Sequence, residues 1–187
     1  MMPEPAHCEF RGGGIVIRPW RREDIDALYE AARESIPTVG RWLPWCHEHY
    51  ARADSEAWIA HCVTTWEAGE QYAFAIAVEE GSRILGGVGL NKCDQDRRMA
   101  NLGYWVRASA ERRGVATQAV RLVSTFGFEK GFAQFEIVAA LDNIASRRVA
   151  EKSGARFQCI ERGRIHFREQ RLDAAIYALL PPAQNRA

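Results

Sequence analysis

Between Leu102 and Val120 the chain reads LGYWVRASAERRGVATQAV. That is a strand-like run, a short basic turn holding Gly114, and a helical segment starting straight out of the turn. A strand that feeds directly into a helix N-terminus aims free backbone N–H groups, and the positive end of the helix dipole, at one point. Such a point is a site for an anionic phosphate. Arg112 and Arg113 at its mouth add two guanidinium groups to the same field. Taken alone, a glycine here more often serves a tight turn flanked by solvated arginines. A nucleotide P-loop is excluded on residues, because neither G-x-x-x-x-G-K-[ST] nor G-x-G-x-x-G occurs.

Other side chains that could do chemistry are scattered. Cys46, His47 and His49 lie close in sequence, with His61 and Cys62 further on. The spacing C-H-x-H matches no standard zinc module, and Cys62 falls in the apolar stripe of its helix while His61 falls off it, so no metal is expected. Trp42 and Trp45 belong to an irregular aromatic stretch, IPTVGRWLPWCHEHY, where such residues either join the core or line a pocket. Gly86-Gly87-Val88-Gly89 sits inside a strand and reads as a bulge or close packing. The five cysteines (Cys8, Cys46, Cys62, Cys93, Cys159) are odd in number and dispersed, which is no disulfide framework and points to a reducing, cytoplasmic setting.

These groups need elements to position them. Ile15 to Ile17 forms a short strand, and Ile25, Leu28, Tyr29 and Ala32 repeat at helical spacing within 24–34. Asp54 or Ser55 can cap a second helix with the stripe Trp58, Ile59, Cys62, Val63 and Trp66. YAFAIAV and ILGGVGL read as a hairpin turning at Glu80-Gly81-Ser82, and a third strand spans about 100–107. The helix after Gly114 carries Val115, Ala119, Leu122, Val123 and Phe126 on one side and ends near Gly131, a C-cap. QFEIVAAL is a continuous apolar strand of the buried, parallel kind. A shorter helix from about Asn143 stops at Gly154, and two strands follow. The order β-α-α-β-β-β-α-β-α-β-β makes a mixed α/β layered sheet the economical fold.

At 187 residues the chain is long enough for one well-buried domain spanning 1–187, with 1–13 and 182–187 as flexible tails. A hydrophobic share of 47% and a charged share of 26% are ordinary for a globular protein. A formal net charge of +1 gives no global field for nucleic acid or an anionic membrane. No apolar run approaches a membrane span, and MMPEPAHCEF has no apolar export segment.

Two segments together are more specific than either alone. Glu111-Arg112-Arg113-Gly114-Val115-Ala116 follows the pattern [QR]-x-x-G-x-[GA] after its first position. Asn143, Ser146, Val149, Ala150 and Gly154 follow N-x-x-S-x-x-[VL]-A-x-x-x-G. With IVIRPWRREDIDALYE at the start and AAIYALL at the end, the chain resembles the GNAT superfamily of acetyl-CoA-dependent N-acetyltransferases, most closely its RimJ/RimL-like branch. The resemblance implies a single-domain mixed, largely antiparallel sheet with helices on both faces. It departs at two points. Glu111 stands where Gln or Arg is usual, and Ala100-Asn101-Leu102-Gly103-Tyr104-Trp105 lacks the acidic residue of the branch's A-E-I-G-Y-W.

The resemblance implies acetyl-CoA as co-substrate and direct attack by a primary amine, from a peptide N-terminus or a small molecule, in a ternary complex. It assigns the pantetheine arm to the backbone of Trp105, Val106 and Arg107, and the pyrophosphate to Arg112, Arg113, Gly114, Val115, Ala116 and Thr117. On the helix from Asn143, positions i, i+3 and i+7 put Asn143, Ser146 and Ala150 on one face, with Ile144, Ala145 and Val149 opposite. Asn143 then contacts the cofactor or caps the helix. Ser146 is the acid for the departing thiolate in place of the tyrosine many members carry at Ala150's position, or a helix serine bonded back to a carbonyl. The base falls to His166, whose ordinary pKa of about 6.5 suits the task, ahead of His47, His49, Glu169 and Asp173; a plain surface histidine fits equally well. Trp42 and Trp45 fall in the acceptor loop. A homodimer is left open. The rival readings are a non-catalytic acyl-CoA-binding module and an ordinary nucleotide- or metal-binding α/β domain.

Overall fold

The computed structural model describes residues 8–79 and 83–182. The expected turn at Glu80-Gly81-Ser82 lies outside them. In chain order the strands are β1 (Phe10–Gly12), β2 (Ile15–Pro19), β3 (Tyr72–Val78), β4 (Ile84–Asp94), β5 (Met99–Val106), β6 (Gln134–Ala140), β7 (Arg156–Phe167) and β8 (Gln170–Leu179). The helices are α1 (Ile25–Glu34), α2 (Arg52–Glu67), α3 (Val115–Glu129) and α4 (Ile144–Lys152). The strands form one eight-stranded sheet in the order β1-β2-β3-β4-β5-β6-β8-β7. Every pairing is antiparallel except β5 with β6. β1, read from the sequence as part of a tail, pairs with β2 from Phe10↔Ile17 to Gly12↔Ile15.

Strand alternation sorts the apolar residues into two cores. On β2 and β3, Ile15, Ile17, Tyr72, Phe74 and Ile76 face α3, against Val120, Val123 and Phe126. Val16, Ala73, Ala75 and Ala77 face α1 and α2, against Leu28, Ala31, Ile59 and Cys62. Period-2 alternation sends neighbours to opposite faces, so a sheet covered on both sides needs continuous apolar strands. The alanines of β3 let the two helices lie close on the second face.

Helix α1 is tied to β2 by a buried ion pair. Arg18 donates to both carboxylate oxygens of Asp24 at 2.7 and 2.8 Å, and Asp24 also accepts the Arg21 N–H at 2.9 Å. At α2 the sequence expectation shifts. The helix begins at Arg52, Asp54 accepts the Ala51 N–H at 2.7 Å from inside the first turn, and Ser55 is buried against the Tyr50 hydroxyl at 2.9 Å. Ile59, Cys62 and Trp66 face inward as expected, whereas Trp58 and Val63 are 38% and 47% exposed.

The β6 expectation is also corrected. The strand is parallel to β5 only over Met99–Asn101 with Gln134–Glu136, and its other edge runs antiparallel to β8. Beyond Asn101 the two parallel strands part, and the site is built in that opening.

Candidate active site

From Leu102 to Val106 β5 pairs with β4 on one side and, among the described residues, has no strand partner on the other. A cleft of about 1590 Å³ runs along this free edge. Its walls are β5, β6, the start of α3, the face of α4 and the aromatic segment after α1. An unpartnered strand edge inside a cleft offers a row of N–H and C=O groups to an extended amide-bearing chain.

At one end lies the turn into α3. Arg112 (φ 61°) and Gly114 (φ 78°) both adopt the left-handed conformation, and α3 starts at the next residue. The first α3 bond to close runs from the Gln118 N–H to the Gly114 carbonyl at 3.0 Å, leaving the N–H groups of Val115, Ala116 and Thr117 open. No acidic residue lies in the first turn, and no side chain caps it. A Cβ built on Gly114 meets nothing within 4 Å, because that side of the turn opens outward. These features fit a pyrophosphate: free donors, a positive dipole end and room beside them. Arg112, Gly114, Val115, Ala116 and Thr117 line the cleft, as does the exposed Glu111. Arg113 is exposed and is not among the lining residues.

Arg107 does not serve the cleft. The residue is 3% exposed, its guanidinium is held by Glu30, Glu34 and the Ile84 carbonyl, and its N–H goes to the Leu85 carbonyl at 2.8 Å. Arg107, expected to contact the cofactor, is not among the residues lining the cleft, whereas Trp105 and Val106 are.

Midway along the cleft, Tyr104 on β5 reaches across the opening to α4. Its phenol lies 2.8 Å from the Ser146 carbonyl oxygen and 3.1 Å from the Ser146 hydroxyl. Burial pushes the Tyr104 phenol up to about 12, outweighing the hydrogen bond with Ser146. The Asn143 side chain accepts the Ser146 N–H at 3.1 Å, so Asn143 is the N-cap of α4 and lines the cleft as well. The face assignment is corrected in part. Ala150 is fully buried in the core, whereas Ile144, Ala145 and Val149 line the cleft with Asn143 and Ser146. Tyr104 is a cleft-lining side chain that sequence reasoning did not single out. Its place in the branch's G-Y-W run was the available signal.

The other end is aromatic. Trp45 packs edge-on against Trp105 at 5.3 Å and against Tyr50 at 5.7 Å. Trp20, Trp42 and Trp58 line the same chamber. Gly87 makes room for it, since a Cβ there would sit 2.7 Å from the Trp105 indole nitrogen and 3.3 Å from Trp20. The glycine run of β4 is thus close packing with a bulge opposite Ile76/Ala77. His47 and His166 line the chamber, and His166 is exposed, its side chain without a hydrogen bond among the described residues. His49 lies outside the main cleft, and the Asp173 carboxylate braces the β7–β8 hairpin by accepting the Gly163 N–H at 2.8 Å. Glu169, also weighed as a base, is not among the lining residues. Asn101 donates to Asn91 at 3.0 Å, a neutral amide pair where the branch has a carboxylate.

Burial pushes the Cys46 and Cys62 thiols up to about 11 and about 12, which keeps both protonated. Among the described residues no cluster of three or more His, Cys, Asp or Glu could hold a metal, and no helix is long and apolar enough to cross a membrane.

Residues 15–156 match the family described as Acetyltransferase (GNAT) domain. The Bacillus subtilis (strain 168) protein YdaF, which carries the name of a ribosomal N-acetyltransferase, is 29% identical over 171 residues, covering 89% of this chain and 91% of its own. Two solved structures share the fold. One is the microcin C7 self-immunity acetyltransferase MccE with acetyl-CoA and AMP (TM-score 0.84, 19% identity, 90% of this chain and 93% of that one). The other is RimL, a ribosomal L7/L12 α-N-protein acetyltransferase, with coenzyme A (TM-score 0.83, 17% identity, 90% and 95%). The family match runs from β2 to the start of β7, taking in the turn into α3, the Tyr104–Ser146 pair and the aromatic chamber, and the chain belongs to the GNAT acetyltransferase family.

Proposed function

We propose that this acetyltransferase moves the acetyl group of acetyl-CoA to the free α-amine of a peptide N-terminus, in the cytoplasm, by direct attack within a ternary complex. The observation that carries the reading is the continuity of one cleft from the α3 turn, past Tyr104 and Ser146, into the aromatic chamber. Arg112 and the N–H groups of Gly114 to Thr117 hold the pyrophosphate. The free edge of β5 up to Val106 holds the pantetheine arm. Acetyl-CoA supplies the activated acetyl thioester; the protein supplies alignment and proton handling.

The choice of an α-amine follows from the weak basic equipment of the chamber. Among the described residues lining it, Asp54 is the carboxylate, and its Oδ2 is engaged by the Ala51 N–H at 2.7 Å. No strong base is poised there, so the acceptor must shed its proton readily. An α-amine, with a pKa of about 7.7–8.0, does so near neutrality, while a lysine side chain at about 10.4 does not. His166 takes that proton, and the Ser146 hydroxyl donates to the departing sulfur. YdaF and RimL, both named for ribosomal-protein acetylation, support a protein acceptor.

The test is thiol release from acetyl-CoA with free-N-terminus peptides, the same peptides blocked at the N-terminus but carrying lysine, and small amines. Turnover confined to free N-termini, with the acetyl group mapped to the first residue, is expected. Turnover on small amines or lysine side chains alone would overturn the acceptor assignment.

A further inference from the structure

We infer that Tyr104 is a positioning residue for the Ser146 hydroxyl, turning it toward the cleft so that it can meet the departing sulfur. The inference rests on the role proposed above for Ser146. Serines in the middle or at the end of helices bond back one turn, whereas Ser55, in the first turn of α2, meets the Tyr50 hydroxyl instead. Ser35 donates to the Ala31 carbonyl at 2.6 Å, Ser124 to Val120 at 2.5 Å and Ser153 to Val149 at 2.7 Å. Such a bond consumes the hydroxyl proton. Ser146 sits in the first turn of α4, where the residue four positions back lies before the helix, and among the described residues its hydroxyl has one partner, Tyr104.

The Tyr104 phenol is within reach of two acceptors on one residue, the Ser146 carbonyl and the Ser146 hydroxyl. With its proton on the carbonyl, it accepts from the serine and draws the hydroxyl proton out of the cleft. With its proton on the hydroxyl oxygen, it frees the serine proton to point into the cleft. The carbonyl loses little in that exchange, because the Ala150 N–H satisfies it within the helix. Burial keeps the phenol protonated up to about 12, so it retains a proton to donate across the working pH range.

As the carbon–sulfur bond breaks, its electron pair goes to sulfur. The Ser146 O–H donates a hydrogen bond to that sulfur while the Tyr104 O–H donates to the serine oxygen. Neither residue changes covalently, and the proton released by the attacking amine finally neutralises the thiolate.

The experiment measures single-turnover rates, acetyl-CoA KM and thermal midpoints for the full chain, Tyr104→Phe, Ser146→Ala, the double variant, and fluorotyrosine placed at 104. Tyr104→Phe should keep its midpoint and hold KM within about twofold, yet lose about tenfold in rate, and Ser146→Ala about a hundredfold. The double variant should be no slower than Ser146→Ala alone, because the phenol acts only through the serine. Fluorotyrosine, a stronger donor of the same shape, should match or exceed the parent rate. A Tyr104→Phe rate equal to the parent's, or a loss confined to KM or the midpoint, overturns the inference and leaves the role of Ser146 standing. An unimpaired Ser146→Ala overturns that role itself.

Discussion

Glu34 and Arg107 lock the last turn of α1 to the end of β5. The Arg107 Nε donates to Glu34 at 3.0 Å, a second guanidinium nitrogen joins the same carboxylate oxygen, and the other Glu34 oxygen accepts the Ser109 N–H at 2.7 Å. Ser35, the next residue, accepts the Ala108 N–H at 3.1 Å. Three consecutive residues leading toward the turn into α3 are therefore anchored on one helix end, where the dipole also favours the arginine.

The first prediction concerns acid stability. Hydrogen bonds from Arg107 hold the Glu34 carboxyl down at about 2, against 4.5 ordinarily. A lowered folded-state pKa stabilises the fold fully above the unfolded value and loses that contribution as pH falls from about 4.5 toward 2. Glu34→Gln should lower the thermal midpoint at pH 7 and flatten its decline over that acid window. It should also raise the acetyl-CoA KM, because the turn loses its anchor. Melting curves from pH 2.5 to 7 check the first part, and an unchanged slope counts against the clamp.

Much of the fold is legible in residue types. The alternation of β2 and β3, the apolar face of α3 and the left-handed Gly131 beyond it (φ 98°) follow from local pattern. The turn proposed to hold the pyrophosphate is legible for the same reason: its open donors are backbone groups of consecutive residues. Arg107 is not, since its partners Glu30 and Glu34 are more than 70 positions away and the sequence offers only its place beside the turn. Tyr104 and Ser146, 42 apart, are joined only by the parting of β5 from β6, which no periodicity records. Val63 reads as apolar stripe yet is exposed, because only one side of α2 meets the sheet.

Gly87→Ala isolates the acceptor end. The added methyl would crowd the Trp105 and Trp20 rings, so these must shift and reshape the chamber floor. The peptide KM should rise about tenfold or more while the acetyl-CoA KM stays within about twofold. Equal changes in both would mean that the chamber does not hold the acceptor.

Gly114→Ala isolates the other end. A methyl there meets no protein atom, so the structural cost is the left-handed backbone alone, about 1 kcal/mol. It would nevertheless intrude on the space in which the pyrophosphate is proposed to sit. A small drop in thermal midpoint with a large rise in acetyl-CoA KM is expected, measured by melting and by steady-state kinetics. A normal KM would place the pyrophosphate elsewhere.

Glu111→Gln should improve binding rather than impair it. Glu111 is exposed, lines the cleft at the turn and makes no ion pair among the described residues, so its charge lies beside the place where the pyrophosphate is proposed to sit. Removing a single exposed like charge is worth at most about 1 kcal/mol. The acetyl-CoA KM should therefore fall about threefold with kcat unchanged. The repulsion is screened by salt, so the gain should shrink between low and physiological ionic strength. A KM that rises on this substitution would mean that Glu111 orders the turn, and that its charge is offset by Arg112 or Arg113 once the anion is bound.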